Sequence, residues 1–348
     1  MLPQSLPTPR IIPADSVRPL RWGIIGPGMI AETFTDATHK HTNQRVVAVA
    51  SQTPGRAEAF SSPRGIEVAL DSYEALVSRP DIDVVYVATH PQHHRAHAEL
   101  AIAAGKHVLI EKPLAPTAED AQAIADAAMA AGVLVMEAMW TRYLPQSDVI
   151  RQVLLEGILG DIKLVQSDFG QALHHIPRLV DPVAGGGLLD LGIYNFAFTS
   201  QVLGAAETVV ASGTLTDRGV DDTVNVLLGF KNGAQATVVT SLAAFTPTRA
   251  SISGAKGLLA LGDLFFMPTS LTLFASEFNP APSATWKDES GIIAHEGLSY
   301  QATALASYVE QGITDSPLRP LVEAVSDIGL IQQARHQVGA FLTGEARN

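Results

Sequence analysis

Two segments of the sequence carry residue types suited to moving a proton beside a bound ligand. In the first, Glu111-Lys112-Pro113 directly follows the apolar run His107–Ile110. Ligands of open α/β sheets bind beyond the carboxyl ends of strands, so Lys112 stands where it could reach one. Beside an oxidised, cationic cofactor ring, a lysine has its pKa lowered and can hydrogen-bond a reacting hydroxyl. Composition alone would make it an ordinary surface lysine. The second segment is Gly185-Gly186-Gly187-Leu188-Leu189-Asp190-Leu191-Gly192-Ile193-Tyr194. Three glycines let the backbone bend close to a ligand, and a helix is expected from about Leu188. Asp190 and Tyr194 then share one helix face, and a carboxylate with a phenol forms a proton-handling pair. The alternative is that Asp190 serves only the helix N-terminus and Tyr194 belongs to the core.

A third cluster is His90, His93, His94 and His97. Such spacing on a helix could bind zinc, but a further ligand would be needed from elsewhere. A βα loop touching the cofactor is the preferred reading, and no metal site is expected.

Gly26-Pro27-Gly28-Met29-Ile30-Ala31 sits between a predicted strand and a helix opening at about Ile30. Alone, this pattern marks an ordinary turn; at the start of a βαβ unit it matches the dinucleotide fingerprint. Gly26 permits the tight turn, Gly28 lets the backbone approach a pyrophosphate, and Ala31 allows close helix-on-strand packing. NAD sites place an acid roughly 20 residues past the glycines, at the end of the second strand. Here that place holds Ser51-Gln52-Thr53-Pro54-Gly55-Arg56, with no acid before Glu58. Ser51 and Thr53 can donate hydrogen bonds, and Arg56 can pair with a 2′-phosphate as a planar fork. NADP is therefore expected over NAD, unless Arg56 is merely a solvated residue of the next helix.

The elements that must position these groups are visible as two textures. From Arg21 to about Met139, short Val- and Ile-rich runs alternate with Ala-rich helical stretches. The runs are Trp22–Ile25, Val46–Ala50, Val84–Ala88, His107–Ile110 and Val133–Met136, and the stretches include Arg95–Ala104 and Ala118–Ala131. This alternation predicts a doubly wound parallel sheet. After about Pro145 the strand-like segments are Ile162–Phe169, Thr223–Phe230, Ala234–Leu242 and Leu271–Phe274, with a hairpin at Asn232-Gly233. Helices follow near Ser299–Gln311 and Leu321–Val338. The expected fold is α/β: an N-terminal Rossmann domain over 21–140, then an α+β domain over 141–348 with a mixed, mostly antiparallel open sheet. Residues 1–20 form a Pro-rich tail, with no apolar run long enough for a signal peptide.

With 348 residues, 47% of them hydrophobic, the chain has material for two cores and is not a disordered protein. Its formal net charge of −12 repels phosphate backbones, so nucleic acid is not an expected partner. The lack of cysteine excludes disulfides, thiolate zinc sites and cysteine nucleophiles, and fits a cytoplasmic protein. No apolar stretch reaches the ~20 residues of a membrane span.

The sequence resembles the glucose–fructose oxidoreductase/inositol dehydrogenase (Gfo/Idh/MocA) family. GIIGPGMIAETF at 23–34, AGKHVLIEKPLA at 104–115 and GGGLLDLGIY at 185–194 carry the likeness. Within the family it is most similar to the dimeric dihydrodiol dehydrogenase/NADP-dependent D-xylose 1-dehydrogenase branch. That closer likeness is carried by MEAMWTRYLP at 136–145, HIPRLVDP at 175–182, GVDDTVNVLL at 219–228 and GLSYQA at 297–302. The resemblance implies that Lys112 is the catalytic lysine, Tyr194 the general acid/base and Asp190 its support. It places Trp140 and Phe169 on the substrate-pocket wall, with His175 and Arg178 nearby. The cofactor set it implies is Gly26, Gly28, Met29, Ile30, Ser51, Gln52, Thr53, Arg56, Thr89, His90, His93, His94, Glu111, Lys112, Trp140 and Arg142. Gln52 stands where many relatives carry arginine beside the 2′-phosphate, so NAD stays open, and Asn195 stands where many carry proline.

The expectation is hydride transfer between a sugar, cyclic polyol or trans-dihydrodiol and NADP, by a homodimer paired through the second-domain sheet or a tetramer of such dimers. Two alternatives remain: a non-catalytic dinucleotide sensor, and a glycoside hydrolase that uses the nicotinamide transiently.

Overall fold

The computed structural model describes residues 2–346. The chain divides into two compact units. One comprises Ile12–Tyr143 with Ile293–Val325; the other comprises Met1–Ile11, Leu144–Ile292 and Ser326–Asn348.

The first unit is built on a six-stranded sheet of order β3-β2-β1-β4-β5-β6, every neighbouring pair parallel. Its elements are β1 (Arg21–Ile25), α1 (Met29–His41), β2 (Arg45–Ala50), α2 (Arg56–Ser61), β3 (Val68–Leu70), α3 (Tyr73–Val77), β4 (Val84–Val87), α4 (His94–Ala103), β5 (His107–Ile110), α5 (Ala118–Ala131) and β6 (Val135–Glu137). Strands without polar alternation are buried on both faces, as β4 is at every position. α5 starts at Thr117, whose hydroxyl accepts from the Asp120 N–H, and stops at Gly132 in the left-handed region. The order reverses between β1 and β4, and such a switch point opens a crevice beyond the strand ends.

The other unit holds α6 (Pro145–Leu155), β7 (Ile162–Gly170), α7 (Ile193–Leu203), β8 (Thr208–Leu215), β9 (Asp221–Gly229), β10 (Gln235–Ser241), β11 (Ala250–Gly254), β12 (Gly257–Leu261), β13 (Ser270–Ala275) and β14 (Pro282–Lys287). These strands form an eight-stranded sheet of order β14-β13-β12-β11-β7-β10-β9-β8. Only β7 and β10 pair in parallel, so the sheet is mixed and mostly antiparallel. Gly233, at φ 78°, turns the β9–β10 hairpin where Asn232-Gly233 predicts it.

Two helices complete the chain, α8 (Leu298–Glu310) and α9 (Leu321–Gln337). α8 packs on α1, so residues 293–325 belong with the parallel sheet although they come late in the sequence. The N-terminal tail is tied down too: Asp148 of α6 accepts from the Arg10 backbone N–H at 2.7 Å and from its guanidinium at 3.4 Å.

Candidate active site

The turn after β1 is tight because it must be. Gly26 lies at φ 89°, and a Cβ there would stand 2.6 Å from Thr89 Cγ2. Gly28 differs: a Cβ there would meet nothing within 4 Å. It is the N-cap of α1 and, as glycine, offers no side-chain cap to the first N–H groups of that helix. Met29, the first helical residue, is 81% exposed. An open cradle, an uncapped helix N-terminus and an exposed apolar side chain together fit a pyrophosphate with its attached ribose. Ile30 is half-buried, and Ala31 is buried against the sheet.

Arg56 opens α2 across from this turn, and its Nε donates to the Pro27 carbonyl at 3.2 Å. Ser51 is buried and its hydroxyl accepts from the Thr53 N–H at 3.2 Å, while Gln52 and Thr53 are exposed. The end of β2 thus presents hydroxyl, amide and guanidinium groups.

After β4, the Thr89 hydroxyl meets His97 Nδ1 at 3.0 Å. His90 and His93 are exposed. His94 departs from its expected cofactor role. Its side chain has no exposed surface, and its two ring nitrogens lie 2.9 Å from the Pro113 carbonyl and 3.0 Å from the Thr89 carbonyl. Burial drives its pKa down to about 4, and the neutral ring, with a single N–H, donates to one of these two carbonyls while packing against the other, away from any ligand. Among the described residues, no group of three or more His, Asp or Glu side chains could hold a metal ion.

Lys112 sits in a segment fixed on both sides. The Glu111 carboxylate accepts from the Tyr86 hydroxyl at 2.5 Å and from the Lys112 N–H at 3.1 Å. Burial raises the Glu111 pKa, against the opposing pull of Tyr86 and Lys112. Past the Lys112-Pro113 bond, which is cis, the Leu114 N–H donates to Glu137 at 2.9 Å. Glu137 and Arg319 form a fully buried ion pair at 2.8 Å. Arg319 also binds Glu323, at 2.9 Å, and Glu323 pairs with Arg142. Arg142, expected at the cofactor, is 3% exposed and pairs with Glu323 in this network. Trp140, 2% exposed, stacks on His295 with ring centroids 5.5 Å apart. His295 is missed by sequence reasoning, since nothing near it in the chain marks it.

In the mixed-sheet unit, the glycine-rich segment forms a widened helical turn, Leu188–Gly192, before α7 begins at Ile193. A helix therefore does begin at Leu188, where it is expected, with its first turn widened. Asp221, at the start of β9, accepts from the Leu188 N–H at 2.6 Å. A Cβ on Gly186 would stand only 2.1 Å from Asp221, which is why glycine occupies that position. Asp190 accepts from Arg178 at 3.0 Å. Tyr194 packs in an aromatic group with Phe169, at 5.8 Å, and Phe266, at 5.1 Å. Phe266 is also absent from the sequence expectation. His175 is exposed, and its neighbour His174 binds Asp222 at 2.7 Å.

Comparison with known proteins bears on both units. Residues 20–139 match the oxidoreductase family with an NAD-binding Rossmann fold, and 148–260 match the GFO/IDH/MocA C-terminal domain. Trans-1,2-dihydrobenzene-1,2-diol dehydrogenase of Mus musculus is 37% identical over 334 residues, covering 94% of this chain and 99% of the relative. A 3-ketoreductase from Actinomadura kijaniata, solved with TDP-benzene and NADP, superposes with a TM-score of 0.75 at 26% identity, covering 94% of this chain and all of that one. An aldose-aldose oxidoreductase from Caulobacter crescentus shares the fold, with a TM-score of 0.81 at 24% identity over 92% of this chain and 97% of that one.

Proposed function

The chain belongs to the GFO/IDH/MocA oxidoreductase family, and from that premise we propose an NADP-dependent dehydrogenase acting on CH–OH groups of a sugar, cyclic polyol or trans-dihydrodiol. One observation carries most of this reading: the open glycine cradle after β1 and Lys112 after β5 stand on the same carboxyl edge of the parallel sheet. They are two strand spacings apart, or roughly 10 Å.

When bound, the nicotinamide supplies the carbon that takes or gives the hydride. The chain's own residues handle the substrate oxygen. Tyr194 takes the hydroxyl proton as its phenolate, becoming the phenol, and as the phenol returns that proton in the reverse direction. The Lys112 ammonium hydrogen-bonds the same oxygen and stabilises the negative charge that grows there. Asp190, oriented by Arg178, supports the phenol. Acid–base help of this kind contributes roughly 10²–10⁴-fold in rate, and alignment of the reacting atoms supplies much of the rest. The aromatic group of Phe169, Phe266 and Tyr194 supports a ring-shaped substrate.

The NADP preference rests on Arg56 beside the Pro27 carbonyl and on the absence of an acid after β2. A homodimer through the mixed sheet is supported by Val210 and Leu227. They are paired on neighbouring strands and are 61% and 52% exposed. No helix among the described residues is long and apolar enough to cross a membrane, which is compatible with a cytoplasmic enzyme.

The test is direct: incubate the protein with NADP and a panel of aldoses, cyclic polyols and trans-dihydrodiols, and follow reduced-nicotinamide absorbance. Net NADPH with at least one of them is expected. Sugar cleavage without net NADPH, or no change with any of them, contradicts the proposal.

A further inference from the structure

We infer that His295 is a specificity-determining residue that favours polyhydroxylated rings over dihydrodiols. The inference rests on the reaction proposed above and adds a residue to it. His295 lies in the segment between β14 and α8, and its neighbours fix that segment. Glu296 is paired with Lys40 of α1 and with His41 at 3.1 Å, and it accepts from the Ile293 N–H at 3.3 Å. Glu296 is thus anchored to α1, and the ring of the residue before it, His295, stacks on Trp140. The two planes are 26° apart.

That stack places His295 at a particular edge of the sheet. Trp140 follows β6 and Lys112 follows β5, and these strands are neighbours with Ile110 opposite Glu137. The imidazole is half-buried. Burial lowers its pKa, and the charge of Lys112 lowers it further, as expected of groups that share one edge. The ring is neutral at neutral pH, with one N–H donor and one acceptor nitrogen.

A trans-dihydrodiol has two adjacent hydroxyls and an otherwise hydrocarbon ring. With one hydroxyl at the reacting carbon, a single neighbour remains. A pyranose or cyclic polyol carries hydroxyls around its ring and offers a partner to a polar group standing apart from the reacting oxygen. Hydrocarbon against the imidazole displaces water from it and returns no hydrogen bond, which discriminates against the analogue lacking the hydroxyl.

The experiment compares the unaltered protein with His295→Phe, which keeps a ring on Trp140, and His295→Gln, which keeps hydrogen-bonding atoms. Two readouts are kcat/KM for D-xylose against a trans-dihydrodiol, and calorimetric Kd for 1,5-anhydroxylitol with NADPH present, where no hydride acceptor is available. Thermal melting confirms folding. Expected for His295→Phe is a fall of roughly fivefold or more in the xylose-to-dihydrodiol ratio, a weaker anhydroxylitol Kd by a similar factor, and partial recovery of both in His295→Gln. An unchanged ratio, or equal loss for both substrates without rescue by Gln, overturns the inference. If the unaltered protein oxidises neither substrate, the proposed reaction falls on its own. The role of His295 is then decided by calorimetry, where equal Kd values in the unaltered protein and the Phe variant overturn it.

Discussion

The buried imidazole of His94 holds the carbonyl of Pro113, with Nδ1 2.9 Å from that oxygen, one residue beyond Lys112. Through Nε2 the same ring reaches Thr89, which packs against Gly26. A single side chain of α4 thus ties the lysine segment to the loop beside the glycine turn. His94→Leu keeps comparable volume and loses the ring's one N–H donor between these two carbonyls. Small misplacements of a reacting group cost up to about a hundredfold, so kcat is expected to fall roughly ten- to a hundredfold while NADP affinity changes little. Steady-state kinetics with cofactor titration checks this; an unaltered kcat in a well-folded variant would show that Glu111 and Glu137 suffice to place Lys112.

Arg56 offers the second prediction. In Arg56→Ala, NADP affinity should fall about tenfold while NAD affinity stays nearly constant, because only the 2′-phosphate loses a charge-assisted partner. Kd values by fluorescence titration decide it. Equal losses for both cofactors would mean that Arg56 acts through the Pro27 carbonyl and the shape of the turn.

Gly26→Ala should fail structurally. The substitution puts a methyl group 2.6 Å from Thr89 at a backbone angle of 89°. A non-glycine residue held there costs about 1–3 kcal/mol before any clash is counted. A lower melting temperature together with lost dinucleotide binding is expected, whereas Gly28→Ala, with open space around it, should melt normally. Identical melting for the two variants would contradict this reading of the turn.

Acid pH acts on two buried groups with opposite sign. His94 has its pKa lowered to about 4. Between pH 6.5 and 4 the unfolded chain takes up a proton that the folded chain refuses, so this group weakens the fold as pH falls. Asp221 has its pKa raised to about 6, chiefly by burial. Between pH 6 and its ordinary range near 4 the folded chain keeps a proton that the unfolded chain has released, so this group strengthens the fold as pH falls. Each shift corresponds to roughly 3 kcal/mol at full extent, and the two largely offset one another. Asp221→Asn removes the second effect and leaves the first: its melting temperature relative to the unaltered protein should drop steadily from pH 6 to 4, a difference that reports Asp221 alone. A parallel pair of curves would contradict the assignment.

The sequence is a good guide wherever neighbours in the chain determine the outcome. β5 and α5 occupy the residues expected, since an unbroken apolar run and a Thr-capped, Gly-stopped Ala-rich stretch admit few alternatives. β3 and β8 escape notice because one has three half-buried residues and the other is mostly solvated, so neither shows a hydrophobic period. The small-residue strand β11 and the edge strand β14 are hidden for similar reasons. At the site, the Gly26 turn and the Glu111-Lys112 segment are legible because strand, turn and helix are contiguous. The pairing of Arg142 with Glu323 is not legible because the partner lies 181 residues further on. Trp140 with His295, and Tyr194 with Phe266, are likewise set by distant parts of the chain.

The central claim is that Lys112 and Tyr194 act on one substrate oxygen. A double-mutant cycle with Lys112→Met and Tyr194→Phe, read as kcat/KM on whichever substrate is turned over, tests it most directly. Groups that work as a unit give a double variant scarcely worse than the poorer single one, and that is the predicted result. Fully multiplicative losses would show that the ammonium and the phenol serve separate steps, and would contradict the mechanism.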